Sequence, residues 1–558
     1  MFSLILLALL NLVPNVVGLP GPTPAASTFA GSTTTAVFPP PAAGVAGVNT
    51  NFPDGSEVGF TGPTRTGDEA GAIATAPVIA KVDSHFPLIN SGASGNKPFD
   101  VTSHLGNLSP FQSVPSSKFG LPDASPVIPN GCELTQVYLI HRHGARYPTA
   151  DSGPPGFADK IHTAATSSAG FSAKEELSFL NTWTYKLGGD ILTPFGRSQL
   201  FNLGVGFRVK YGQLLKKFTN LPVFRTTSEA RMLDSALHFA AGFFGVQSYK
   251  EDYHQLITIE HADPGTQNNT LAPYETCTNG LNEIASYGDV QSGKWAAIYL
   301  APAVTRLNAK LQGLELNVKD LFAMQQLCAF ETVALGYSAF CDLFTEEEWK
   351  GFEYQSDLQF WYSFGPGNPA SSAMGIGYVQ ELVSRLTKTR IDTFENTVNA
   401  SIVTSEILFP LDQPIYVDAT HDTILTAIFT AMNFTTLAAN GPLPTDRIPE
   451  HQTFFANQLA PFASNVVGQV LSCPASDTPT HIRWIVNDGV VPLTGIAGCE
   501  NNKDGLCKLD TFIAGMKQRI EEVDFEFDCL AKYNIPIPDN IVTGQYPENL
   551  KPKPEQKA

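Results

Sequence analysis

An α/β fold, with a central mixed sheet flanked by helices, is what this sequence predicts, on three observations. Apolar runs at 136–140, 221–224, 414–420 and 482–486 read as buried strands. Stretches with helical spacing lie between them, such as Leu233, Leu237 and Phe239 to Phe243, and alternation of the two is the α/β pattern. Finally, His, Arg and Asp residues cluster directly after three of these runs. Open α/β sheets bind their ligands there, beyond the carboxyl ends of strands.

Taken from the N-terminus, Leu4 to Leu10 is apolar and Val16-Val17-Gly18 offers small residues, so 1–18 reads as a secretory signal peptide. An uncleaved membrane anchor is the competing reading. Residues 19–100 are rich in Pro, Gly, Ala, Ser and Thr with little periodicity. Such a composition buries too little apolar surface to offset its ordering entropy, and a flexible arm is expected. An α/β body is expected over 101–234 and 381–530, with a mainly helical segment over 235–380. Five prolines, Pro536 to Pro554, mark 531–558 as an irregular tail.

Composition narrows the function classes. Of 558 residues 43% are hydrophobic and 16% charged, enough for a large core. A net charge of −18 argues against nucleic acid and anionic membranes as partners. After the leader no apolar stretch is long enough to span a bilayer. Eight cysteines, none before Cys132, fit an oxidising compartment, and their pairing is open from sequence alone. No Cys-x-x-Cys occurs, which disfavours zinc. Asn107, Asn268, Asn399 and Asn433 head glycosylation sequons, with Pro110 close behind the first.

The chemistry is concentrated in three segments. Val137-Tyr138-Leu139-Ile140 leads into His141-Arg142-His143-Gly144-Ala145-Arg146-Tyr147-Pro148-Thr149. Flanking guanidiniums disfavour a proton on His143 and leave it a neutral nucleophile, while positive charge and an in-line attacker are what phosphoryl transfer needs. The run 414–420 is followed by His421 and Asp422, and Ile424 to Phe429 then reads as a helix. There an imidazole can hold a phosphate oxygen and a carboxyl group can protonate a leaving alcohol. The run 221–224 precedes Arg225-Thr226-Thr227-Ser228-Glu229-Ala230-Arg231. With Ser228 as N-cap, Arg231 falls in a first helical turn, where the dipole disfavours a cation unless an anion binds.

On these residues the chain resembles the histidine acid phosphatases, specifically their fungal phytase-like branch. Arg142 to Pro148 matches the family signature and Thr420 to Thr423 its His-Asp element. Ser228 to Gly242 matches the helix carrying a third arginine, and Leu192 to Gly196 and Gly375 to Leu382 are further similar stretches. The similarity runs from about Gly106 to Leu530. It implies an α/β domain with a smaller inserted α-helical domain, and a secreted phosphomonoesterase with phytate as a candidate substrate. The residues carry over one by one: His143 as nucleophile through a phosphohistidine, and Asp422 as general acid. Arg142, Arg146, Thr149, Arg231 and His421 would surround the phosphate. It also implies disulfides Cys132–Cys473, Cys277–Cys529, Cys328–Cys341 and Cys499–Cys507. No metal or cofactor is implied, and the expected partner is a small phosphomonoester. Oligomeric state and cell-wall association stay open.

Departures from well-known phytases bear on substrate. A Gly-Gln-Tyr-Ser-Pro stretch that helps hold phytate reads Gly106 to Pro110 here, a lysine pair aligns with Gln359-Phe360, and Glu229 places a carboxylate near the pocket rim. Each weakens the grip on six phosphates, so a broad acid phosphatase is the expectation. Two alternatives are a metal-dependent hydrolase using a His141/His143 pair, and a catalytically silent secreted binding protein of the same fold.

Overall fold

The computed structural model describes residues 50–53, 55–58, 99–247, 249–260 and 268–552. The expected leader and most of the expected arm lie outside these residues. Ten strands occur, in chain order β1 (Glu133–Arg142), β2 (Ser172–Ala173), β3 (Val223–Thr227), β4 (His254–Thr258), β5 (Leu311–Gln312), β6 (Ile415–Thr420), β7 (Asn465–Ser472), β8 (Thr480–Val486), β9 (Gly489–Val491) and β10 (Cys507–Lys508). Eight of them form one mixed sheet, ordered β10-β8-β7-β1-β6-β3-β4 with β9 beside β8, while β2 and β5 pair separately.

Neighbours β1, β6, β3 and β4 run parallel, whereas β7, β8, β9 and β10 are antiparallel additions. Register aligns the parallel ends: Arg142 lies opposite Thr420, and Thr227 opposite Thr258. Whatever follows these four strands therefore emerges along one edge.

Helices of eight or more residues are α1 (Gly153–Thr166), α2 (Pro194–Tyr211), α3 (Ala230–Phe244), α4 (Tyr287–Tyr299), α5 (Ala301–Asn308), α6 (Val318–Leu335), α7 (Glu346–Ser363), α8 (Ser371–Thr387), α9 (Asp422–Ala431) and α10 (Leu509–Glu522). The period-2 alternation of β1 divides the core between them. Val137 and Leu139 face Leu200 and Phe207 of α2 and Phe239 and Phe243 of α3. Tyr138 and Ile140 join the larger cluster that includes α6, α7, α8 and α9. Four disulfides link Cys132–Cys473, Cys277–Cys529, Cys328–Cys341 and Cys499–Cys507.

Two strands depart from the sequence reading. β4 lies inside 235–380, the span expected to be mainly helical, yet joins the main sheet; α3 likewise covers that sheet. Five residues with polar His254 and Gln255 at one end give little periodic signal. β7 holds Gly468 and Gln469 at its centre. The fold resolves both: Gly468 lies against the Trp484 ring, and buried Gln469 bonds Tyr211 and Arg483.

Candidate active site

The turn after β1 is gripped from both sides. Arg142 N–H donates to Ser464 O at 2.8 Å and Ala463 N–H to His143 O at 3.0 Å. On the far side Thr193 N–H donates to Ala145 O and Tyr147 N–H to Ile191 O, each at 2.9 Å, and Ala145 N–H to Gln199 Oε1, also at 2.9 Å. Gly144 and Gly196 meet so closely that a Cβ on either would fall about 2 Å from the other segment's backbone oxygen. The family-like stretch Leu192 to Gly196 is thus the bracket that shapes the 143–149 turn.

His143 is buried, and its Nδ1 lies 2.8 Å from Gly144 O. A carbonyl only accepts, so Nδ1 carries the proton and Nε2 keeps its lone pair. Burial, and then Arg142, Arg231, Arg146 and His421, hold this imidazole well below its ordinary pKa. The surroundings thus favour the neutral ring, with its Nε2 lone pair free.

Three guanidiniums surround that ring. Arg142 is buried, donates from Nη1 to Ala460 O at 2.7 Å and to Asn107 O, and lies 4.5 Å above the Phe462 ring. Its Nη2 sits 2.7 Å from Asp422 Oδ2. Arg146 is partly exposed, donates to Tyr147 O at 2.8 Å, and rests 5.8 Å from Phe330 of α6. Arg231 is the second helical residue of α3 and pairs with Glu229. Thr149 is exposed and accepts a long 3.5 Å bond from Arg146 Nη1, so it touches the site through that arginine.

His421 is the N-cap residue of α9, with its ring centroid 5.7 Å from that of His143 and its Nε2 2.7 Å from Glu260 Oε1. Asp422 follows as the first helical residue and accepts from Asn107 Nδ2 at 2.9 Å and from Thr423 N–H at 3.0 Å. Burial pushes the Asp422 carboxyl up, but Arg142, the Asn107 bond, Arg146 and His421 outweigh it and the net direction is down. Without a ligand it is a carboxylate.

Several buried donors converge without an aligned acceptor: Nε and Nη2 of Arg142, Nε of Arg146, Nε of Arg231 and Nε2 of His421. Carboxylates lie near some of them but off the N–H axes. Buried donors left this way cost about 1–3 kcal/mol each. A tetrahedral phosphoryl group, which offers only acceptors, meets that requirement.

Sequence reasoning missed or misplaced several groups. Ser228 does not cap α3; Glu229 is the N-cap residue, and Ser228 Oγ accepts from Glu260 N–H at 3.0 Å. The longer-range bond ties β3 to β4 and displaces the local cap. Glu229 is not at the rim but buried, 4% exposed. Glu229, Glu260 and His421 have ligand atoms within 4.8 Å of one another, a spacing that suits a metal, although Arg231 already pairs with Glu229 and His421 Nε2 contacts Glu260. Phe360 is buried and Gln359 bonds Asp289. Asn107, read as a sequon, has its amide on Asp422, where a glycan would break the contact.

The pairing of His141 with His143 as metal ligands is not what the fold makes. His141 is fully buried, donates from Nδ1 to Arg142 O at 3.1 Å, and stacks 5.3 Å from Phe239. Burial lowers its pKa to about 4. It is a neutral core residue beneath α3.

One layer below the pocket lies a buried ion network. Asp418 of β6 accepts from Arg225 Nε and Arg385 Nη1, each at 2.6 Å, and from Tyr378 OH at 3.0 Å, while Arg225 also pairs with Glu381 at 2.7 Å. This explains the family-like Gly375 to Leu382 stretch. Tyr378 and Glu381 anchor the network, and a Cβ on Gly375 would sit 2.4 Å from Ala427 O of α9.

Comparisons with known proteins agree with this geometry. Residues 133–487 match the model of the histidine phosphatase superfamily (branch 2). The chain is 31% identical to Phytase A of Aspergillus oryzae over 439 residues, covering 76% of this chain and 91% of that one. With Phytase A of Aspergillus fumigatus it shares 33% over 431 residues, 75% and 88% of the two chains. The crystal structure of the phytase from D. castellii superposes with a TM-score of 0.63 at 23% identity, covering 81% of this chain and 91% of that one. By family model, relatives and fold, the chain belongs to branch 2 of the histidine phosphatase superfamily and is a phosphoric monoester hydrolase.

Proposed function

We propose that this protein hydrolyses small phosphomonoesters in acid through a phosphohistidine on His143, inositol phosphates being one substrate group. The observation that carries the reading is the convergence of buried, unaligned donors from Arg142, Arg146, Arg231 and His421 around a neutral imidazole.

In the first step His143 Nε2 attacks phosphorus in line, the ester P–O bond breaks, and the Asp422 carboxyl gives its proton to the departing alcohol oxygen. Asp422 must regain a proton for this. A phosphoryl group that engages Arg142 and Arg146 takes up the positive charge now holding Asp422 ionised, while burial continues to favour the neutral acid. Substrate binding and proton uptake are therefore coupled, and activity belongs in acid. In the second step the Asp422 carboxylate takes a proton from water, that water attacks phosphorus, and the P–N bond breaks. His143 Nε2 recovers its lone pair and phosphate leaves.

Arg142, Arg146, Arg231 and His421 hold the phosphoryl oxygens, and Thr149 supports Arg146. An exported location belongs to the same proposal, supported by the four disulfides. No helix among the described residues is long and apolar enough to cross a membrane. The test is hydrolysis of a chromogenic phosphomonoester in acid. His143→Ala loses essentially all turnover while folding normally; a folded His143→Ala protein at near-normal rate would overturn the proposal.

A further inference from the structure

We propose that Phe462 is a positioning residue whose ring face holds the Arg142 guanidinium in the orientation that receives the phosphoryl group. The inference rests on the phosphomonoesterase reading of the pocket.

Phe462 lies in the short segment before β7 and is fully buried, as is Arg142. The Arg142 Cζ sits over the ring, 4.5 Å from its centroid, and the centroid of the His143 ring is 6.1 Å away. One aromatic side chain thus adjoins both the nucleophile and a clamp arginine. The segment around it grips the same two residues. Ala460 O accepts from Arg142 Nη1 at 2.7 Å and Ser464 O from the Arg142 N–H at 2.8 Å, while Ala463 N–H donates to His143 O at 3.0 Å. Phe462 N–H is itself held by Ser109 O at 3.0 Å. Ala463 has a φ of 59°, a left-handed conformation that a residue with a Cβ adopts at a cost. The chain accepts that strain directly beside the ring, where its backbone holds the catalytic turn.

A guanidinium hydrogen-bonds along its edges and stacks through its flat face. Nη1 of Arg142 is taken by two carbonyls, those of Ala460 and Asn107. Nε and Nη2 are buried without an aligned acceptor, and these are the edges left for phosphate. A second carboxylate here, placed as Asp418 is against Arg225 and Arg385, would accept from those edges and compete with the substrate. An aromatic face attracts the cation through its quadrupole and leaves the edges free. That attraction matters because burial lowers the guanidinium pKa to about 10, Asp422 opposing the change and Arg231 adding to it. Phe462 therefore orients the cation before the phosphoryl group arrives, and binding need not order it.

Ring fluorination tests this with little change in shape, because each fluorine draws electron density from the ring face and weakens its hold on a cation. The enzyme is prepared with phenylalanine bearing none, one, two or three ring fluorines at position 462. The inhibition constant of inorganic phosphate is measured for each, with kcat/KM for a chromogenic monoester. Phosphate inhibition is expected to weaken stepwise with the fluorine count, by roughly threefold to tenfold for three, and kcat/KM to fall in step. The same fluorines on Phe352, which packs against Phe322 and Trp349, should leave both constants unchanged. A packing role alone would make the two positions behave alike. Should the trifluorinated protein fail to fold, the singly and doubly fluorinated ones still give the trend.

A phosphate inhibition constant that does not rise with the fluorine count in folded protein, or that rises equally for Phe352, would overturn the inference. Either result leaves the phosphatase reading intact as long as the wild type hydrolyses a monoester and is inhibited by phosphate. A wild type that does neither would remove both.

Discussion

Replacing Asn107 with leucine tests how the pocket sets the proton on its acid. Asn107 Nδ2 donates to Asp422 Oδ2 at 2.9 Å, and this bond is among the causes that hold the carboxyl below its ordinary range against burial. Leucine keeps the side chain's shape but offers no N–H. Backbone contacts of residue 107, including the carbonyl that accepts from Arg142, are unaffected. A hydrogen bond to a charged group contributes about 1.5–3 kcal/mol, and 1.4 kcal/mol corresponds to about one pKa unit, so the carboxyl should rise by about 1–2 units. Asp422 donates only when protonated. A higher value therefore extends activity toward neutrality, and the alkaline limb of kcat/KM should move up by the same amount. The assay is kcat/KM for an alkyl phosphate, whose poor leaving group needs the proton, from about pH 3 to about pH 8. A limb that stays in place or moves down in a folded variant would refute the assignment of Asp422 as the acid or of Asn107 as its donor.

Two further predictions concern stability. Asp418→Asn leaves Arg225 and Arg385 buried with half their compensation, and should cost about 3–5 kcal/mol in urea unfolding, a large part of a typical domain's total. Burial opposes ionisation of Asp418, but the two arginines outweigh it and hold the carboxyl far below the ordinary range. A depressed carboxylate stabilises above its unfolded pKa and fails only as pH falls through its folded one, so the loss should be equal at about pH 7 and about pH 4.5; a loss confined to one of them would contradict this. His141 behaves oppositely: burial lowers it to about 4, so the unfolded chain binds a proton that the folded one refuses. His141 should therefore contribute a loss of up to about 3 kcal/mol between about pH 6.5 and about pH 4, and His141→Asn should make the slope shallower by that share while the part due to His143 remains. An unchanged slope would show that His141 charges in place.

Three of the four parallel strands, β1, β3 and β6, and the residues after them were legible because long apolar runs and charged turns are local signals. What escaped depends on contacts distant in sequence. Nothing in His254–Thr258 announces a strand until β3 pairs with it, and Glu260 acquires meaning only because that strand ends beside His421. Ser228 carried a correct capping signal that a tertiary acceptor role overrode. Asn107 was visible as a sequon and as a substrate-binding substitute, yet its bond crosses more than three hundred residues to Asp422. The partners of Asp418 come from β3 and α8, and no spacing rule links them. Local chemistry could be read from sequence; mutual neutralisation of buried charges could not.

The most direct test is to trap the covalent intermediate. Enzyme mixed with a phosphate-labelled monoester that has a good leaving group, quenched in base within the first turnover and mapped by peptide, should carry acid-labile phosphate on His143. Asp422→Asn should accumulate more of it, because water activation is impaired. Label on another residue, or full turnover with no adduct on His143, would contradict the account.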